Sequence, residues 1–374
     1  MHEVIKAQQE LMREYNLDGL VAMTPENFGY VSGVMVPTQV TVRSRHAIHI
    51  LNAQGQSKTV VVNIEEGLVK SSSWLDSAHI SSYNEFTQDP IVIAGQKMLD
   101  LGLDGKRVGI EMNYLPYKDY LKLVKAVPSI ELVDAQELFE KLRKVKLFFE
   151  IERIEAFGSQ AEDVIYSAFS GVHAGMTEND IKNIIVKGFS AIGGDKLTVL
   201  TVASGERSCF LNAPATDRVL KSGDVVRIDL VGVDKKGYYC DVCRSAVVGE
   251  PTDEHNLIWS RLVQSHDEIV SKIRPGADTK DIYDDFLRQF EEWNYPAVDF
   301  VGHGLGLSLH EEPYIGRYAR NILQAGMAMC VEPIMIKPDC FGFQLENEVL
   351  VTESGCKVIS ANKPYDKLFK IADR

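Results

Sequence analysis

Gly223-Asp-Val-Val-Arg-Ile-Asp229 and, 103 residues further on, Gly326-Met-Ala-Met-Cys-Val-Glu332 are the stretches that decide the fold. Each is a turn glycine, then an alternating strand, then a carboxylate six residues past the glycine. A polar or glycine-containing turn follows each strand, Asp234-Lys-Lys-Gly237 in the first and Lys337-Pro-Asp-Cys-Phe-Gly342 in the second. A second strand then carries a second acid, Asp241 or Glu346. Upstream, Gly175-Met-Thr-Glu-Asn-Asp180-Ile181 is matched by Gly276-Ala-Asp-Thr-Lys-Asp281-Ile282. Both follow a long amphipathic helix pattern, roughly 152–171 and 254–272, and both open a new helix. Thr177 with Asp180 has the spacing of a capping box, which supplies acceptors for the free N–H groups of a first turn. The offsets between equivalent residues are 101, 103, 103 and 105. That period is too long for a solenoid and points to two half-domains.

Two such hairpins facing one another across a pseudo-two-fold axis bring Asp229, Asp241, Glu332 and Glu346 to a common centre, and His303 joins them. Four carboxylates and one imidazole are a ligand inventory for two divalent cations, with Mn²⁺, Fe²⁺, Co²⁺ or Zn²⁺ as candidates. Two such ions neutralise four negative charges. Without them the acids would repel one another, and each buried ion costs several kcal/mol.

The chain has 374 residues, 45% hydrophobic and 25% charged, which predicts a soluble globular protein of about two domains. A formal net charge of −13 argues against a broad nucleic-acid-binding surface. No apolar run approaches 18 residues, so no membrane span is expected. The N-terminus begins an amphipathic helix and lacks the shape of a signal peptide, which makes a cytoplasmic location the expectation. All six cysteines lie in the second half. Cys240-Asp-Val-Cys243 has no partner pair for a zinc site, and the cysteines are expected to be reduced thiols.

Residues 1–147 read as a small α/β domain. Its expected helices lie at about 3–15, 65–73, 91–101 and 115–126, and its strands at Leu20–Met23, Arg45–Leu51, Thr59–Asn63, Arg107–Glu111 and Glu131–Asp134. Residues 148–374 hold the duplicated helix-helix-hairpin pattern and read as α+β.

Gly302-His-Gly-Leu-Gly-Leu307, followed by His310-Glu-Glu-Pro313, resembles the signature of the pita-bread metallohydrolases. This superfamily includes methionine aminopeptidase, aminopeptidase P, prolidase and creatinase. The N-terminal stretches Leu17-Asp-Gly-Leu-Val21, Pro25-Glu-Asn27, Tyr30-Val-Ser-Gly33, Gly109-Ile-Glu111 and Leu142-Arg-Lys-Val-Lys146 are similar to the prolidase and creatinase branch. Methionine aminopeptidases generally lack that domain. The resemblance implies a C-terminal pita-bread domain behind a smaller creatinase/prolidase-type domain, a homodimer, and a small-molecule or dipeptide substrate. It assigns Asp229 to one metal ion, Asp241 and Glu346 as bridges, and His303 and Glu332 to the second ion. His310 would hydrogen-bond the scissile carbonyl or the tetrahedral intermediate. The implied reaction is hydrolysis by a water activated between two ions, with Glu332 as the base.

Departures from the family pattern concern the substrate. Asn212 stands where these peptidases usually carry a histidine. It can hydrogen-bond but cannot shuttle a proton near neutral pH. Asp299 replaces another frequent histidine, and an acid there would favour a cationic or hydrogen-bond-donating group. Gln344 stands where proline-specific relatives often have arginine. Twelve residues separate Asp229 from Asp241, one more than usual, which the turn at 234–237 can absorb. In creatinase-like relatives a basic residue of the partner subunit reaches the substrate carboxylate, and Arg43 or Arg45 is the candidate here. Two functions therefore fit the residues. One is hydrolysis of Xaa-Pro bonds. The other is hydrolysis of a small non-peptide amide, lactam, amidine or guanidino compound, with weak proline-dipeptide cleavage. A non-catalytic binding scaffold of the same fold would be expected to have lost ligands.

Overall fold

The computed structural model describes residues 2–373. The chain divides into two compact units, the first ending at Arg143 and the second beginning at Lys144. No helix among the described residues is long and apolar enough to cross a membrane.

The first unit is built on a six-stranded sheet: β1 (Gly19–Ala22), β2 (Ile48–Asn52), β3 (Ser57–Val62), β4 (Ile80–Tyr83), β5 (Arg107–Ile110) and β6 (Glu131–Asp134), in the order β4-β3-β2-β1-β5-β6. The fully buried β1 sits inside the sheet, antiparallel to β2 and parallel to β5. Val21, Ile48, Ile50, Val108 and Ile110 pack there against Ile91, Ala94 and Met98 of the helix Pro90–Asp100. Strand β2 starts at Ile48, so Arg45 lies ahead of it rather than in it. Strand β4 and the short helix Pro25–Ser32 were not anticipated from periodicity.

The second unit repeats one plan. The helices Phe148–Ser170 and Glu178–Ala191 cover the antiparallel β7 (Gly194–Ser204), β8 (Val225–Asp234) and β9 (Tyr239–Val248). The helices Asp253–Lys272 and Thr279–Glu292 cover a second sheet. That sheet contains β10 (Phe300–Gly304), β11 (Glu311–Gly316) and β12 (Ala328–Val331), and after a separate hairpin of β13 (Ile334–Lys337) and β14 (Phe341–Gln344), β15 (Asn347–Val351) and β16 (Cys356–Val358). A last strand, β17 (Phe369–Ile371), returns parallel to β9. Each half has its own core. Phe157, Ile165, Phe169, Ile185, Ile228 and Val242 fill the first, and Trp259, Leu262, Phe286, Phe290, Met329 and Val349 the second. The fold is the expected α+β duplication with an α/β unit ahead of it.

The helix Glu178–Ala191 starts as its sequence dictates. Thr177 Oγ1 accepts from Asp180 N at 3.2 Å, and Asp180 Oδ2 accepts from Thr177 N at 2.8 Å. In the second copy the cap is Asp278, which accepts from Lys280 N at 2.9 Å. Thr177→Ala removes the forward half of the box. It is expected to cost about 1 kcal/mol, read as a fall of roughly 2–4 °C in Tm.

The mirrored ribbons differ in one respect. Asp229 lies within a continuous β8, whereas Pro333 follows Glu332 and separates β12 from β13. Proline has no N–H to donate to a ladder. The second ribbon is therefore a split strand pair, with Glu332 and Glu346 at the two breaks.

Candidate metal centre

Side chains alternate across a strand, so residues two apart share a face. Asp241 lies opposite Val231, two residues from Asp229, and this puts both acids of the first ribbon on one face. The second ribbon is fastened to the first through its backbone N–H groups. Glu346 N donates to Cys243 O at 3.1 Å, and Gln344 N donates to Ser245 Oγ at 3.0 Å. Glu332 N donates to Val301 O at 2.9 Å, which seats the end of β12 beside β10 and His303.

Asp229, Asp241, His303, Glu332 and Glu346 all line one pocket of about 360 Å³. Asn212, Asp299, His310 and Gln344 line it too. The imidazole Nε2 of His303 lies 3.6 Å from Asp241 Oδ2 and 3.4 Å from Glu332 Oε1. Donor atoms of Asp241, His303, Cys330 and Glu346 fall within 4.8 Å of one another, as do those of Asp229, Cys243 and Glu346.

Three observations fit this set to cations. Buried oxygens normally find hydrogen-bond partners, yet Asp229 Oδ1, Glu332 Oε1 and Glu346 Oε1 have none. The His303 Nδ1 lies 3.0 Å from Gly304 O, so that nitrogen carries the proton and Nε2 offers a lone pair to the acids' side. Burial pushes the His303 pKa down to about 3, which keeps the ring neutral. In the metal-free pocket the acids are forced toward protonation. Asp229 is pushed up to about 6 by burial, against the pull of Arg227, and Glu332 to about 8 by burial and by Asp229. Asp241 and Glu346 lie well above the ordinary carboxylate range, through burial first and neighbouring acids second. A site that penalises four anions this way has a strong electrostatic appetite for positive charge.

The remaining pocket residues form a rim and a wall. His310 stacks on His303 at 3.9 Å with only 10° between the rings, and burial lowers its pKa, so it too is neutral. Val199, Leu211, Val298, Phe300, Leu309 and Ile334 give the pocket an apolar side. Asn212 is exposed at the rim. Asp299 is also exposed, and its carboxylate accepts from Arg317 Nε at 2.9 Å. The pair is largely exposed, so solvent screens it and it leaves the chemistry of an acid at this rim position in place. Gln344 is buried and bonded on both sides of its amide, to Arg227 and to Glu332, so its polar atoms are already engaged where it lines the pocket. Arg45 forks onto Glu85 at 2.7 and 3.0 Å within its own unit, while Arg43 is exposed.

A buried shell beneath the acids was not read from the sequence. Arg244 donates to Glu162 Oε1 at 2.6 Å and, through Nη1, to the carbonyls of Cys243 and Glu346 at 2.9 and 2.5 Å. Glu348 accepts from Asp241 N at 2.8 Å, and burial pushes its pKa up to about 8. Its other oxygen lies against the helix Phe148–Ser170 at Gly158, where any Cβ would collide with it. The available signals were Arg227 and Arg244, each a lone cation in an apolar strand, and an acid two residues after Glu346.

Known proteins share the sequence pattern and the fold of this chain. The sequence pattern of metallopeptidase family M24 matches residues 152–353, and that of the creatinase/prolidase N-terminal domain matches residues 5–145. An uncharacterized peptidase, YqhT, of Bacillus subtilis is 30% identical over 259 residues, covering 68% of this chain and 73% of the relative. An Xaa-Pro dipeptidase of Pyrococcus horikoshii is 26% identical over 96% of both chains. Among solved structures, dipeptidase PepE from Mycobacterium ulcerans superposes with a TM-score of 0.86 at 24% identity, over 99% of this chain and 98% of that one. Prolidase from Pyrococcus furiosus gives 0.81 at 24% identity, over 95% and 100%.

Proposed function

Because the chain belongs to metallopeptidase family M24, with a creatinase/prolidase-type domain at its N-terminus, we propose that it is a dinuclear metallohydrolase that cleaves small amide C–N bonds, of the Xaa-Pro dipeptidase type. The observation that carries this reading is the convergence of Asp229, Asp241, His303, Glu332 and Glu346, three of them with buried oxygens that lack any partner. Mn²⁺, Fe²⁺, Co²⁺ and Zn²⁺ all suit such an oxygen and nitrogen set. When bound, the ions polarise the substrate carbonyl and acidify the attacking water.

The chain's own residues do the rest. Glu332 takes a proton from the attacking water at its carboxylate and passes it toward the leaving nitrogen. His310, neutral and stacked on His303, presents a ring nitrogen to the oxygen on which charge develops. Phe300, Val298 and Ile334 offer an apolar wall for a prolyl ring. In a homodimer, Arg43 is better placed than Arg45 to meet a substrate carboxylate, since Arg45 is engaged by Glu85.

One of the three departures that favoured a non-peptide substrate loses weight in this fold: Gln344 is occupied by Arg227 and Glu332, whereas the Asp299–Arg317 pair is solvent-exposed and weakly held. Asn212 retains its weight, because no histidine replaces it at the rim. The test is a screen of metal-loaded protein against Xaa-Pro dipeptides, creatine, cyclic amides and guanidino acids. Xaa-Pro dipeptides are expected to turn over with kcat/KM of about 10⁴ M⁻¹s⁻¹ or above. Turnover confined to creatine, a lactam or a guanidino acid would replace this reading with the second one.

A further inference from the structure

Arg227 and Gln344 belong neither to the ligand set nor to the proton transfer, yet they join the two ribbons directly behind it. Arg227 is fully buried. Its Nε donates to Ser208 O at 3.2 Å, and its Nη2 to Phe210 O and Leu211 O at 2.5 and 2.8 Å. Its Nη1 donates to Gln344 Oε1 at 2.8 Å and lies 3.8 Å from Asp229 Oδ2, beyond hydrogen-bond range. The guanidinium is therefore bonded to neutral oxygens, with the acids of the pocket as its electrostatic counterweight.

That arrangement dictates which way Gln344 points. A guanidinium can only donate, so the amide oxygen of Gln344 must face Arg227 and its NH₂ must face away. The NH₂ lies 3.3 Å from Glu332 Oε2. The backbone of Gln344 is pinned as well, its N–H and C=O both bonded to Ser245 Oγ at 3.0 Å. With Oε2 held, Glu332 directs its other oxygen toward His303 Nε2, 3.4 Å away.

We propose that Arg227 and Gln344 are positioning residues: Arg227 orients the Gln344 amide, and that amide fixes the Glu332 carboxylate toward the ligand centre. The same guanidinium gathers the carbonyls of Ser208, Phe210 and Leu211, and so sets where the chain enters Asn212. The proposal rests on the reading of Glu332 as ligand and base.

Arg227 is too deeply buried for its own replacement to be informative, so the test uses Gln344. Gln344→Met keeps the length and removes both amide bonds, while Arg227 keeps its three carbonyl acceptors. Gln344→Glu keeps an acceptor for Arg227 but has no donor for Glu332. Both variants are expected to lower kcat by about 10- to 100-fold, with KM within about twofold and Tm near that of the parent. In titration calorimetry with Co²⁺, Gln344→Met is expected to weaken the looser of two binding events about tenfold. A Gln344→Glu enzyme with kcat within twofold of the parent overturns the proposal, and so does unchanged Co²⁺ affinity in Gln344→Met. If Glu332→Gln retains turnover, the reading of Glu332 as base falls separately. The Co²⁺ titration still decides whether Gln344 holds that carboxylate.

Discussion

Exchanging Glu332 for glutamine is expected to lower kcat by about 10³-fold, in the range of a lost general base. Glutamine has the shape of the side chain it replaces, so it can fill the same place beside His303. What is lost is the capacity to take a proton, together with one negative charge from the ligand set. KM should change little if the group acts in the transition state rather than in ground-state binding. A merely unfolded variant is easy to tell apart. The pocket holds four mutually repelling acids, and burial and Asp229 push Glu332 itself up to about 8. Removing its ionisable group should therefore raise the Tm of the metal-free protein near pH 8 while activity collapses. Opposite signs in stability and turnover mark a functional group placed at a structural cost. Turnover within tenfold of the parent would remove Glu332 from its role as base.

The parts of this site that were legible in the sequence are those set by short-range rules. Gly223 and Gly326 have φ of +84° and +88°, a left-handed conformation that favours glycine, and each marks the start of a ribbon. The acids six residues later fall on one face because the strand period is two. The capping box at Thr177 is local by construction. The shell behind the acids was illegible because its partners are remote. Arg227 bonds Gln344, which is 117 residues away, and Glu162 bonds Arg244 across 82. A cation among the apolar residues of its strand marks Arg227 as unusual, but its neighbourhood does not say which remote group it clamps. Strand β7 also escaped notice. Its residues are exposed or half-buried up to Leu200 and buried without a break from Thr201, so no period of two shows. An acid at Asp299 points to a cationic or hydrogen-bond-donating group, and only the fold brings Arg317 beside it.

Removing the metal should reverse the pH dependence of stability near the site. In the metal-free protein, Glu332 and Glu348 are each pushed up to about 8 by burial, from an ordinary value of 4.5. The folded state then binds more protons than the unfolded state between those values, so stability falls as pH rises through that window. Below pH 6.5 the trend is masked. His303 is held down to about 3 from an ordinary 6.5, so the unfolded chain binds its proton first, and stability rises with pH there. Above pH 6.5 the unfolded histidine sheds most of its remaining proton within one unit, so toward pH 8 the raised carboxylates set the trend. Each group shifted across that interval contributes about 2 kcal/mol, at 1.36 kcal/mol per pKa unit. For two groups in a unit of this size, about 4 kcal/mol together, the Tm of metal-free protein should drop by about 8–16 °C. Cations require the ionised acids, so their affinity climbs over the same interval, and a ligand at about 1,000 times its Kd adds about 4 kcal/mol. The gap in Tm between metal-loaded and chelator-stripped protein should therefore widen steadily from pH 6.5 to 8 in differential scanning calorimetry. A metal-free Tm that stays flat or rises across that interval would mean that the carboxylates are not held together as a buried cluster, and the case for a metal centre would lose its electrostatic basis.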